Sequence, residues 1–169
     1  MIVVAAVAGL MLGTAACSAS APEISDTTKI DWVGRVCSAV AGTPVLAAVP
    51  AIDPVDPMTV KAELSAYLGT AVTGVTRVVD ALSAVGASPV DGGDLVVGSA
   101  TEFYSRLRTE FDAAKSTLDG TDDPAVIAEV IADTAARTAT LVDPLPGVAD
   151  SEFADWARQA RACVTVYPR

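Results

Sequence analysis

The sequence predicts an all-α fold: an antiparallel bundle of four long helices plus a short helix, closed by one disulfide. Three observations carry this. Apolar residues recur three and four apart through most of the chain. Asp-Pro and Gly signals divide those stretches into helix-length pieces. Finally, only two cysteines, Cys37 and Cys163, lie in the body, and they sit in the first and last pieces.

Asp26-Thr-Thr offers cap oxygens for a first helix over about Lys29 to Ala41, with Ile30, Val33, Val36 or Cys37, and Val40 on its inner face. Gly42-Thr-Pro44 ends or kinks that helix, because proline lacks the amide proton and clashes with the preceding turn. Val45 to Val49 has room for a short helical turn before Pro50. The proline-rich connector from Pro50 ends in Asp56-Pro57, a cap residue followed by proline at the first helical position.

The second helix is predicted over about Pro57 to Val85, with Gly86 as the left-handed residue that stops it. Its seam of Leu64, Leu68, Ala71, Val75, Val78, Leu82 and Val85 steps by fours and threes. At 1.5 Å per residue it is roughly 30 Å long, the pattern of a bundle helix.

Asp91 or Asp94 is expected to cap a third helix that reaches about Leu118, packing Val96, Ala100, Phe103, Leu107, Phe111, Ala114 and Leu118. Glu102, Arg106 and Glu110 form a charge ladder on another of its faces. Asp122-Asp-Pro124 starts a fourth helix over about Pro124 to Val142, with Ile127, Ile131, Thr134, Thr138 and Leu141 sharing a face. Asp150-Ser151 caps a last helix over about Ser151 to Val164, burying Phe153, Trp156 or Ala157, Ala160 and Cys163.

The chain opens with an apolar run from Ile2 to Leu12, and no charged side chain precedes Glu23. A run of that length fits the core of a signal peptide and is too short to span a bilayer alone. Gly13-Thr-Ala-Ala16 then leads into Cys17, and the chain becomes polar and turn-rich. This stretch resembles a bacterial lipobox, which implies acylation of the Cys17 thiol. Thr14 stands where that motif carries a branched apolar residue, and no Lys or Arg precedes the run. Three readings stay open: a cleaved and lipidated leader, a cleaved leader without lipid, and an uncleaved anchor. All three place the body outside the cytoplasm. The expected organisation is a leader over residues 1–17, a tether over 18–26 and one helical domain over 27–167. Rich Ala, Val, Thr and Asp usage, with Arg above Lys, together with this leader resembles the small envelope lipoproteins of actinobacteria.

Outside the cytoplasm, Cys37 and Cys163 are expected to pair, Cys17 being consumed by lipid. Such a bridge closes 126 residues, which corresponds to roughly 4 to 5 kcal/mol of chain entropy. Trp32 and Trp156 lie five and seven residues before the two cysteines, so both indoles are expected near the bridge and partly buried.

The 169 residues include no histidine, which removes Ser-His-Asp and Cys-His catalysis and His-ligated metals. A net charge of −10 argues against nucleic acid or a bare anionic membrane surface as partner. Asp91-Gly-Gly-Asp94 lacks the ligand spacing of an EF-hand and reads as a turn. Glu129, Asp133 and Arg137 fall four apart and read as a solvated ladder. Trp32-Val-Gly34 matches the bare W-x-G of small type VII secretion substrates, but there it sits in a hairpin turn, and here it falls inside a helix.

Two features stand out from simple packing. Gly69, Gly74 and Gly98 lie inside helices, where each costs about 1 kcal/mol relative to Ala and is expected to allow close helix approach. Thr134 and Thr138 interrupt an apolar face. Threonine back-bonding accounts for them, or else a groove for an apolar or amphipathic ligand between helices two, three and four. The reading is a non-enzymatic envelope lipoprotein without cofactors, anchored through Cys17, that serves as a helical interaction or accessory module for an envelope protein. The alternative is a carrier or sensor of a lipophilic ligand in the bundle interior.

Overall fold

The computed structural model describes residues 24–41, 57–139, 145, 148 and 151–166. The leader with Cys17, the connector with Asp56, Leu141, and Asp150 lie outside them. The described chain is helical: α1 over Asp26–Val40, α2 over Pro57–Ser83, α3 over Gly93–Asp119, α4 over Pro124–Thr138, α5 over Glu152–Ala157, and a 3-10 turn over Arg161–Val164. No strand occurs among the described residues. None of their helices is long and apolar enough to cross a membrane.

α1 begins three residues earlier than its sequence signal implied. Ser25 is the N-cap, its hydroxyl accepting from the Thr28 amide at 3.3 Å. That puts Asp26, assigned above to the tether, in the first turn, where a carboxylate complements the helix dipole. Trp32, Val33, Val36, Cys37 and Val40 are buried.

α2 shows the predicted seam throughout, every residue from Leu64 to Val85 in that series being buried. The helix itself stops at Ser83, and Gly86 takes a φ of 80°. Only glycine adopts that conformation without Cβ strain. α2 and α3 share the largest helix interface. Along it Ser65 pairs with Asp119 and Gly69 approaches Lys115, and just beyond α3 Asp122 pairs with Lys61, so the α3-side number falls as the α2 number rises.

α3 departs from expectation at its start and in its core. Its N-cap is Gly92, at φ 68° and without a side-chain cap bond, not Asp91 or Asp94. The Asp94 carboxylate accepts instead from the Ser88 amide at 2.9 Å and ties the preceding turn together. Gly93 explains the tightness: a Cβ there would lie 2.1 Å from Ser88 Oγ and 3.0 Å from Trp32 Cη2. In the core, Tyr104 takes the central place at 0 % exposure, while Phe103 is half-buried and meets it edge-on at 5.1 Å.

α4 starts as its Asp-Pro signal requires, Asp123 Oδ1 accepting from the Ala125 amide at 2.9 Å. Val130 rather than Ile131 is buried beside Ile127, Thr134 and Thr138. The last predicted helix is not continuous. Ser151 caps α5 as expected, but α5 ends at Ala157, Ala160 is extended, and the 3-10 turn follows. Ala157-Arg-Gln-Ala-Arg161 contains no helix breaker. The bend therefore comes from tertiary packing, since α5 and the 3-10 turn both pack on α1.

That bend brings Cys163 to Cys37. The two are joined, with Cα atoms 5.0 Å apart, and both are buried. Trp32 is more deeply buried than expected, at 1 % exposure, and packs edge-on against Phe153 at 6.2 Å. Its Nε1 donates to the Gly86 carbonyl at 3.2 Å, toward the α2–α3 turn. Trp156 is half-buried, as expected.

Gly69 and Gly98 do not mark close helix approach. A Cβ on Gly98 would meet nothing within 4 Å, and one on Gly69 only the flexible end of Lys115 at 3.5 Å.

Candidate functional site

Two regions outside the core concentrate polar chemistry. The first is a carboxylate hub at one end of the bundle. Glu152, in the first turn of α5, accepts at Oε1 from Lys29 Nζ and Trp156 Nε1, each at 2.9 Å. At Oε2 it accepts from the Asp91 amide at 3.1 Å. The Trp156 bond, then those from Lys29 and Asp91, hold its pKa at about 2, well below the usual 4.5. The Lys29 ammonium also lies 5.1 Å from the Trp156 ring centroid, within cation–π range. Both oxygens of this carboxylate are engaged by α1, α5 and the α2–α3 turn, so the hub reads as structural.

The second region is a groove between α3 and α4. It comprises two adjoining concavities of about 440 and 340 Å³ that share Glu110, Asp133 and Arg137. Such volumes fall in the range of small-ligand sites. Phe103, Leu107 and Ala136 give the first its apolar wall. Ala113, Ala114, Val126 and Val130 do so for the second.

The charges here are not arranged as the sequence implied. Arg137 does not simply continue a ladder with Glu129 and Asp133; its Nη1 crosses to Glu110 Oε2 on α3 at 2.7 Å. The α3 ladder is likewise divided. Arg106 bonds Glu102 at 2.9 Å, while Glu110 turns toward α4. Residues four apart on one helix can pair locally, but two half-exposed groups on facing helices pair across when the interface brings them together. Glu129 and Asp133 are left with no ion-pair partner among the described residues.

The two buried threonines differ as well. Thr138 Oγ1 bonds back to the carbonyls of Thr134 and Ala135, both at 3.0 Å, which is ordinary helical back-bonding. Thr134, 1 % exposed and lining the second concavity, has a hydroxyl without a hydrogen-bond partner. A buried hydroxyl left unpaired costs about 1 to 3 kcal/mol and is rare in folded proteins. The threonines were legible as an anomaly in the sequence; Glu110 was not, because nothing along α3 marks which helix it faces.

Among the described residues no three acidic or sulfur side chains converge closely enough to hold a metal ion. The Asp91-Gly-Gly-Asp94 segment is the turn and first residues of α3, where the Asp94 carboxylate accepts from the Ser88 amide and the Asp91 amide donates to Glu152. No protein-family model, no curated protein and no solved structure matches this chain.

Proposed function

We propose that this protein is a non-enzymatic binding module of the cell envelope, exported by its leader, held at the outer face of the cytoplasmic membrane through Cys17, and engaging an envelope protein partner. The observation that carries the reading is the Cys37–Cys163 bond, since structural disulfides persist in oxidising compartments and are rare in the cytoplasm. The leader supports the same compartment, with small residues running directly into Cys17 and a polar segment following. The lack of histidine supports a binding role over catalysis. The net charge of −10 favours a partner that is not a polyanion.

Cell fractionation tests the anchoring. Cys17→Ala is expected to release the body from the membrane while leaving it exported; retention on the membrane would remove the lipid anchor from the reading. Native mass spectrometry of the protein taken from its own membrane tests the role. A stoichiometric protein partner supports the interaction module.

A carrier or sensor of a lipophilic ligand is the second reading. The α3–α4 groove and its unpaired Thr134 hydroxyl favour it, with the ligand at a surface groove instead of the bundle interior. A co-purifying small amphiphile with no protein partner would replace the first reading with this one.

A further inference from the structure

We propose that the α3–α4 groove binds a small amphipathic primary amine, its ammonium head against Glu129, Asp133 and Thr134 and its apolar body along Ala113, Ala114 and Val126. This site is independent of anchoring and of any protein partner.

The charge balance of the second concavity points to a cation. Four ionic side chains line it, and the one cation among them, Arg137, is engaged by Glu110 at 2.7 Å. Glu129 and Asp133 remain, one turn apart on α4, with no cation partner among the described residues. Like charges at that spacing repel, so an added positive charge between them is favourable.

The shape of the site selects an organic cation over a metal. No three acids converge within metal-binding reach among the described residues. Apart from Thr117 and Thr134, the remaining wall is Ala and Val, which offers burial to methylenes and little to a hydrated ion.

The unpaired hydroxyl selects the kind of head group. A primary ammonium has three donors and no acceptor. Two carboxylates take two of them, and Thr134 Oγ1, buried and unpartnered, is the third acceptor. That oxygen is closed off from solvent in this structure, so the head requires a small opening of the groove to reach it. A quaternary ammonium has no N–H and cannot make this bond, which separates it from a primary amine of the same chain length.

Nuclear magnetic resonance titration of the full chain tests the proposal with n-octylammonium, n-octyltrimethylammonium and n-octanol. Saturable shifts confined to residues 103–117 and 126–137 are expected for n-octylammonium, with weaker binding of the quaternary ion and none of n-octanol. Glu129→Gln and Asp133→Asn are each expected to weaken n-octylammonium by about two- to fivefold, the scale of an exposed ion pair. Thr134→Val is expected to weaken the primary amine to the level of the quaternary one, and Thr134→Ser to restore the difference. Their unliganded spectra report that the fold is intact. The proposal is overturned by non-saturable or dispersed shifts, by equal response to n-octanol, or by a primary-over-quaternary preference that survives Thr134→Val.

Discussion

Glu152 and Lys29, 123 residues apart in the chain, are joined by a 2.9 Å hydrogen-bonded ion pair. The same carboxylate also holds Trp156 and the Asp91 amide, so one side chain ties α1, α5 and the α2–α3 turn together. Its folded pKa of about 2 lies below the ordinary 4.5, led by the Trp156 bond. The stabilisation is therefore complete above about pH 4.5 and is lost as the pH falls toward 2. Thermal unfolding of the native protein and Glu152→Gln is expected to show a midpoint gap that is constant near neutrality and closes through this window. A gap unchanged down to pH 2 would show that the carboxylate is not the titrating group.

The glycines give a matched pair of opposite sign. Gly98 lies in α3, and a methyl group added there would meet nothing within 4 Å, so Gly98→Ala is expected to stabilise by about 0.5 to 1 kcal/mol through helix propensity. Gly93, at the N-terminal end of the same helix, has no room, and Gly93→Ala must displace Ser88 or Trp32. A loss of about 1 to 3 kcal/mol is expected there, the scale of overpacking. Urea denaturation of both variants checks the contrast.

Reducing the Cys37–Cys163 bond is expected to cost roughly 4 to 5 kcal/mol, because the bridge closes 126 residues. Denaturant titrations with and without reductant measure it. The bridge itself predicts that neither body cysteine alkylates before reduction; two thiols reactive in the untreated protein would remove it.

Thr134→Val keeps the shape of the side chain and removes the unpaired hydroxyl. It is expected to raise stability by about 1 to 2 kcal/mol, since the buried oxygen has no partner to lose. A decrease would show that Oγ1 is hydrogen-bonded in solution. Stabilisation accompanied by weaker amine binding is the pattern of a residue kept for function at the expense of folding.

Much of the helical frame was legible because its determinants are local. Asp123-Pro124 marks a helix start whatever the surroundings, Gly86 ends the α2 segment in a left-handed conformation, and the Leu64-to-Val85 spacing puts one face inward. The pairing of Cys37 with Cys163 was expected from the cysteine count and the compartment that the leader implies.

Other features depended on which surfaces meet. Tyr104 displaces Phe103 from the centre because both spacings suit a helix, and only the facing elements choose between them. The break after Ala157 has no local cause; it arises where two short segments pack on one helix and carry Cys163 to Cys37. Glu152 finds Lys29 and Asp91, and Arg137 finds Glu110, across separations that no periodicity encodes. Spacing along the chain by itself determined where the helices run and the buried seam of α2, since helical geometry is set within a few bonds. The tertiary structure alone decided which partner each polar group meets, and so where Thr134 is left with none.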